Sequence, residues 1–365
     1  MIDYYWWKWI MRKKVIIISN AVEDPSSYYR LIQYMEQKDN VKILNRFSKK
    51  QFRKYFSSKC RVFTKMMIAC SVMLKTINFV LWDYFIFKSD EIIINRKVFP
   101  HYCPHCIRFL LKKYLSERIV IWDFDDNIIY GKEIHTAELK IYEDTVDEVV
   151  VTNEFLKKTL NWNLQQRTLV LPTTDKQFEN YDLITYNKKK IEEFYSEINF
   201  IWIGTGGNLQ FLKQIIKQLE NIAKKNEKQK IILYNICNEK LIENTEYLQI
   251  KNVVWSRENA VRYLKKAHIG LMPLEDNEFT RGKGAFKAIQ YMGAGIPVVA
   301  SPVGYNNYVI EQSVNGFFIQ EDWEKNIEKV MSDVLIWERL SFNARKTWKD
   351  KFDSKYNQIF WNHRV

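Results

Sequence analysis

The most concentrated acidic stretch of the chain is Trp122-Asp123-Phe124-Asp125-Asp126-Asn127, which follows an apolar run. A carboxylate in that place can take a proton from a hydroxyl, accept a hydrogen bond from one, or cap the next helix. Ligands of open α/β sheets gather at the carboxyl ends of strands, so Asp125 and Asp126 read as site-facing and as the catalytic candidates. A second cue is the turn Ile203-Gly204-Thr205-Gly206-Gly207-Asn208, set between an apolar strand and the helical stretch LQFLKQIIKQLENIAKK. Bare backbone N–H groups at a helix start can face a phosphate without side-chain obstruction, although a tight turn with no ligand has the same sequence. The spacing is not G-x-G-x-x-G, which disfavours a nicotinamide enzyme. The third cue is residues 269–310, IGLMPLEDNEFTRGKGAFKAIQYMGAGIPVVASPVGYNNYVI. It reads as a strand, an acidic loop, a basic glycine-containing turn with Arg281, Lys283 and Lys287, a helix, and another strand. Cations at a helix start oppose the helix dipole, and a recruited anion would correct that; a solvated basic loop is the alternative.

Two cues are weaker. Asp24-Pro25-Ser26-Ser27-Tyr28-Tyr29-Arg30 follows the first strand and opens a helix, which makes Arg30 a candidate acceptor or phosphate contact, or else a solvent-facing cap. His101-Tyr102-Cys103-Pro104-His105-Cys106 holds one C-x-x-C, at most part of a tetrahedral zinc site with no second pair to complete it. Ordinary thiols and no metal are expected there. Five scattered cysteines do not form the disulfide framework of a small secreted domain, so a reducing cytoplasm is expected.

The elements that must position these residues are short apolar runs alternating with helical stretches, the sequence form of a parallel sheet with crossover helices. In the first half the strands are expected at Val15–Ser19, Val41–Leu44, Glu91–Asn95, Ile119–Trp122, Glu148–Thr152 and Thr168–Leu171. In the second half they fall at Phe200–Ile203, Lys230–Asn235, Asn252–Trp255, Ile269–Pro273 and Pro297–Ala300. At 365 residues the chain is longer than one core usually sustains. The expected fold class is α/β, with two Rossmann-like domains facing a cleft. Their boundary falls in the polar stretch Thr173–Glu197, dividing the chain into 1–180, 181–345 and a final helix, 346–365, packing back on the first domain.

Of a formal net charge of +13, residues 1–110 carry +12, with 20 Lys and Arg against 8 Asp and Glu. Between Asp39 and Asp83 there is no acidic residue, while lysines and arginines alternate with Phe47, Phe52, Tyr55, Phe56 and Phe63. Such a mixture suits the headgroup level of an anionic bilayer, with Tyr4-Tyr5-Trp6-Trp7-Lys8-Trp9 inserting beside it. It also suits single-stranded nucleic acid, but no nucleic-acid module accompanies it and none is expected as partner. Residues 66–87 approach membrane-spanning length, yet Lys75, Asn78 and Asp83 interrupt them, and an apolar helix leading to a buried strand is expected instead. The start lacks the layout of a secretory signal.

The stretch 269–310 resembles the donor-binding region of family 4 glycosyltransferases of the GT-B fold. Gln290-Tyr291-Met292-Gly293-Ala294-Gly295-Ile296-Pro297-Val298-Val299 is similar to the second half of that family's E-x7-E…A-A-G-x-P-V-V pattern, and His268 to Leu274 resembles its I-G-l-x-P-L strand. Ile203-Gly204 looks like its phosphate loop, Trp122 to Asn127 like the y-d-x-D-D turn of a bacterial subgroup, and Val150 to Leu156 like the element after it. The resemblance implies transfer of a sugar from a nucleoside-diphosphate sugar, with retention of configuration and without metal or cofactor. Taken with the basic, aromatic first domain, the expected acceptor is a lipid-linked or cell-surface glycan precursor. The resemblance places Gly204, Thr205, Gly206, Gly207 and Gln290 at the donor; from the residues themselves Arg281, Lys283 and Lys287 are expected there too, Arg30 at the acceptor or a phosphate, and the basic, aromatic first domain at the inner face of the cell membrane. The family's two glutamates fall on Gly282 and Gln290, and the usual Arg and Lys are missing from the Gly204 turn, leaving Arg281, Lys283 and Lys287 to meet the diphosphate. Other classes are a haloacid-dehalogenase-like phosphatase using Asp123 and Asp125, and a non-catalytic glycan-, nucleotide- or nucleic-acid-binding protein.

Overall fold

β-Branched runs such as Val15-Ile16-Ile17-Ile18 and Val149-Val150-Val151 favour extended backbone and, being apolar on both faces, demand cover on both. The computed structural model describes residues 12–22, 24–35, 40–55, 60–99, 105–319 and 322–362. Tyr4 to Trp9 and the Cys103 half of the C-x-x-C lie outside the described residues. Cys106 is a free, exposed thiol, and among the described residues no group of three His, Cys, Asp or Glu side chains could hold a metal ion.

The chain divides into two units, Met1–Thr173 with Gly282–Gly284 and Lys355–Val365, and Thr174–Arg281 with Ala285–Ser354. In the first unit the strands are β1 (Lys14–Ile18), β2 (Val41–Asn45), β3 (Glu91–Asn95), β4 (Ile119–Phe124), β5 (Glu148–Val151) and β6 (Thr168–Val170). They form a six-stranded sheet in the order β2-β1-β3-β4-β5-β6, every pair parallel. The second unit holds β7 (Glu197–Ile203), β8 (Lys230–Ile236), β9 (Gln249–Val253), β10 (Ile269–Met272), β11 (Val298–Ala300) and β12 (Gly316–Phe318), in the order β12-β11-β10-β7-β8-β9, again parallel. The helices used below are α1 (Pro25–Arg30), α2 (Val62–Trp82), α3 (Leu183–Glu193), α4 (Ile216–Lys225), α5 (Arg257–Leu264), α6 (Phe286–Gly293), α7 (Val334–Lys351) and α8 (Ser354–Asn362).

Each sheet is sandwiched. On one face of the first, Val15, Ile17, Ile92, Ile94 and Trp122 pack with Leu111 and Tyr142; on the other, Ile16, Ile18, Ile93 and Ile121 pack with Leu31 and with Trp361 of α8. In the second, Phe200 and Trp202 meet Leu219 and Ile222 of α4, while Ile201 and Ile203 meet Ile289 and Met292 of α6. Two strand expectations need correction. The strand expected at Asn252–Trp255 runs from Gln249 to Val253, and Gly316–Phe318 is a short edge strand that the sequence reading omitted.

Helix α2 runs on through one π turn, Asp83–Phe87, to β3. Its stripe Ile68, Val72, Thr76 and Val80 is buried, and Asp83 is enclosed, accepting from Ser89 N at 3.0 Å and from the Tyr114 hydroxyl at 2.6 Å. The outer side is apolar too: Val62, Phe63, Met66, Met67 and Leu74 are each more than half exposed. By length and composition Val62–Phe87 is long and apolar enough to cross a membrane. In the second unit, α3 carries a buried lysine, Lys190, whose ammonium lies 5.7 Å from the Trp337 ring centroid and has no hydrogen-bond partner among the described residues.

Candidate active-site residues

In the first unit the polar residues arrive on the carboxyl ends of neighbouring strands: Ser26 after β1, Arg96 after β3, Asp125 and Asp126 after β4. Arg96 is held at φ 67, a left-handed conformation that costs a non-glycine residue about 1–3 kcal/mol. The strain aims one guanidinium at three carboxylates. It donates to Asp125 Oδ1 at 2.9 Å, to Asp126 Oδ2 at 3.2 Å, and in a fork to Glu133 Oε1 and Oε2 at 3.0 and 2.9 Å. The Ser26 hydroxyl adds a 2.7 Å bond to Asp125 Oδ1. Burial and the neighbouring charge of Asp126 push Asp125 up to about 6, against the pull of Arg96. Burial also raises Asp24, while the three carboxylates keep Arg96 charged well above its ordinary range despite its burial. The cluster is net negative, which with burial leaves Asp125 easier to protonate than an ordinary carboxylate. Its side chain serves Arg96 and Ser26 rather than a helix cap.

Asp123 and Arg30 form a separate, fully buried pair. Arg30 Nε donates to Asp123 Oδ1 at 3.0 Å, and the same guanidinium reaches the Leu171 carbonyl. Asn95 Nδ2 takes Asp123 Oδ2 at 3.0 Å. The expectation that Arg30 contacts an acceptor or a phosphate is therefore corrected: it is a strut tying α1 to the sheet, and a partner 93 residues away along the chain turned it inward. The phosphatase reading fails on the same geometry, because its nucleophile would be Asp123, with both oxygens occupied and no exposed surface.

In the second unit the glycine turn follows β7 as a 3₁₀ turn, Gly206–Asn208. None of its glycines has a positive φ; they are needed for close approach. A Cβ at Gly204 would overlap the Trp202 ring, one at Gly206 the Glu239 carboxylate, whereas Gly207 faces open space and Thr205 is exposed. Tyr291 of α6 fixes the turn from beneath: its hydroxyl accepts from Ile203 N at 3.0 Å and donates to the Leu271 carbonyl at 3.4 Å, and its ring lies over Gly270, where a Cβ would overlap it.

The basic residues separate. Arg281, partly exposed, is engaged by the acidic loop, with Asp276 at 2.6 and 3.0 Å and Glu278 at 3.4 Å. Lys283 groups with the first unit, Lys287 with the second. At Gly282 a Cβ would sit 2.8 Å from Asn127 Cβ, so this backbone has no room for a glutamate side chain. Gln290 is buried in α6 and donates Nε2–H to Asp175 Oδ2 at 2.8 Å. Asp175, which the sequence reading missed, is fully buried, and its other oxygen accepts from Gln177 N at 3.0 Å. Burial pushes it up to about 6, against these hydrogen bonds and the charge of Arg257 at the head of α5. A separate cavity of about 450 Å³, lined by Gln214, Glu275, Asp276, Ser301 and Trp323 among others, carries no basic residue and is unsuited to a diphosphate.

Residues 197–335 match the family model described as glycosyl transferases group 1. That stretch is glycosyltransferase-like, and the fold is GT-B. No curated protein sequence matches the chain. Among solved structures, the chain is similar to sucrose-phosphate synthase from Thermosynechococcus elongatus, with TM-score 0.65 and 11% identity over 96% of this chain and 97% of that one. Anabaena HepE in complex with UDP gives TM-score 0.59 and 10% identity over 96% and 98%. A glycosyltransferase from Rickettsia africae gives 0.58 and 12% over 96% of each chain. At these identities the likeness is one of fold, and it spans both six-stranded units.

Proposed function

We propose that this glycosyltransferase moves a sugar from a nucleoside-diphosphate sugar to a lipid-linked or cell-surface glycan precursor in polysaccharide biosynthesis, with retention of configuration. The observation that carries the donor is the glycine turn after β7, with exposed Thr205 and open Gly207 at the start of a helical stretch and Lys287 on α6 of the same unit. Oriented N–H groups and a fixed cation stabilise a departing diphosphate, where most of the rate enhancement of such a transfer arises. The first unit supplies the acceptor side. Asp125 accepts the hydrogen bond of the incoming hydroxyl and, ionised above pH about 6, its proton. Solved relatives support the substrate classes: HepE structures hold UDP and UDP-glucose, and a TarM structure from S. aureus holds UDP with alpha-GlcNAc-glycerol.

The membrane part of the proposal rests on α2. Its exposed apolar side projects from a unit whose first 110 residues carry +12, with Arg61 at the start of the helix and Lys65 and Lys75 along it. Apolar insertion with flanking cations fits peripheral docking on anionic lipid at the cytoplasmic face. The protein should sediment with phosphatidylglycerol vesicles and not with phosphatidylcholine vesicles. Phe63→Glu together with Met67→Glu should abolish that difference, and equal sedimentation with both lipids would remove the membrane from the reading.

The donor reading is tested by a thermal-shift series of UDP, GDP, ADP, CMP and their sugars. A ligand at 100 times its Kd adds about 2.7 kcal/mol of stability. One nucleotide class should shift the wild type, and Lys287→Ala should weaken its Kd about tenfold, the worth of a charge-assisted phosphate contact. No shift by any nucleotide would return the chain to a non-catalytic glycan-binding role.

A further inference from the structure

The cavity of about 450 Å³ in the second unit is lined by none of the residues read at the donor. It gathers Glu275 and Asp276 after β10, Ser301 after β11 and Trp323 after β12, against Gln214, which precedes α4, and Gln218 in the first turn of α4. Trp323 belongs to the core on the α4 face of the sheet, whereas α6, which carries Lys287, packs on the opposite face. The polar lining is held by one atom and left open at another. Trp323 N donates to Gln218 Oε1 at 2.8 Å. A backbone N–H can only donate, so this bond settles which end of the amide is the oxygen and leaves Nε2 as a donor with no partner among the described residues. Gln214 Nε2 donates to Glu275 Oε1, which leaves Glu275 Oε2 as an acceptor. The Ser301 hydroxyl accepts from Leu274 N at 2.9 Å and keeps its proton to give. Asp276 is already paired with Arg281.

An amide donor, a carboxylate acceptor and a hydroxyl, in a wall completed by Trp323 and aliphatic side chains, match a ring whose hydroxyls both donate and accept and whose C–H faces are apolar. The volume lies within the range of about 300–1,000 Å³ that small-molecule sites occupy. A phosphate would meet the charge of Glu275 and no lining cation, and a polycation would find a single unpaired carboxylate. We propose that this cavity is a saccharide site that takes a neutral sugar ring, separate from the turn after β7. The site stands whether or not that turn holds a nucleotide. In a protein that builds glycan chains it would retain a sugar residue of the chain away from the donor.

Fluorine NMR of the full chain labelled with 5-fluorotryptophan tests it, the Trp323 signal being assigned from Trp323→Phe. The probes are glucose, galactose, N-acetylglucosamine and maltose, with inorganic phosphate and spermidine as charged controls. At least one neutral sugar should shift the Trp323 signal saturably, and neither control should. Glu275→Ala removes the acceptor. Gln218→Glu keeps the oxygen that Trp323 N needs and removes the donor. Each should weaken the Kd of that sugar about tenfold, the worth of one well-made hydrogen bond. Lys287→Ala, on the opposite face, should leave it unchanged. Glu275 is exposed and among the described residues bonds only to Gln214, so a weakened Kd in Glu275→Ala at the wild-type melting temperature reports binding and not fold. A Trp323 signal that none of the four sugars moves would overturn the assignment. So would one that answers to phosphate or spermidine instead, or a sugar Kd that both cavity variants leave unchanged or that Lys287→Ala weakens.

Discussion

At the carboxyl end of the first sheet one guanidinium, Arg96, faces Asp125, Asp126 and Glu133; in the second unit Gln290 and Asp175 form a buried amide–carboxylate pair, and the turn after β7 offers backbone N–H groups and the exposed Thr205. Charge is crowded in one region and dispersed in the other. Burial, with the neighbouring Asp126 charge, raises Asp125 to about 6, and on the proposed reading that suits it to take a proton near neutral pH. On the proposed reading, the backbone N–H groups of the other region hold the donor nucleotide. A change in the first region should therefore act on turnover or fold, and one in the second on affinity.

The largest expected effect is that of Asp125→Asn, which keeps the shape and removes the proton acceptor. Turnover should fall about 10²–10⁴-fold with nucleotide Kd unchanged, and wild-type turnover should decline as the pH drops through about 6. A loss confined to Kd would reverse the assignment of roles. Next is Asp123→Asn, two residues away but with a different job. It leaves the Arg30 guanidinium buried without counter-charge and should lower unfolding free energy by about 3–5 kcal/mol in a urea titration. Intact stability with lost turnover would move Asp123 into the reaction.

The second unit contains an exception to its own rule, the unpartnered Lys190 ammonium. Burial lowers it from 10.5 to about 7. Between those values the unfolded chain binds the extra proton, so stability should rise with pH across that window. Lys190→Met should flatten that rise and stabilise the protein at neutral pH by an amount on the order of a few kcal/mol. A wild type whose stability is flat between pH 7 and 10 would show that the ammonium is solvated. The smallest effect belongs to Arg281→Ala. The side chain is partly exposed and already paired with Asp276 and Glu278, so nucleotide Kd should change less than about threefold, against the larger loss at Lys287.

The sheets were legible because their strands are apolar on both faces and announce themselves as β-branched runs. The two errors fall on edge strands. Gln249–Val253 is largely exposed and shows no apolar run, and Gly316–Phe318 spans three residues. Asp125 and Asp126 were legible because carboxylates stand together directly after a strand. Asp175 and Arg96 were not, because each takes its meaning from a partner far along the chain, Gln290 for the one and Asp125 for the other. Arg30 lies between the two cases. Its position after β1 was readable, but whether its guanidinium turned toward a ligand or toward Asp123 was decided by packing that local spacing does not encode.

Tyr291 over Gly270 also bears on how this chain can change over generations. Alanine at 270 beneath the intact ring overpacks the interior, a cost of about 1–3 kcal/mol. A smaller residue at 291 makes room, but strips the Ile203 N–H of its hydroxyl partner and leaves a buried donor unmet, at a similar cost of about 1–3 kcal/mol. Either first step is penalised, so the two positions are expected to drift only together, and a lineage that replaces one should carry the replacement of the other.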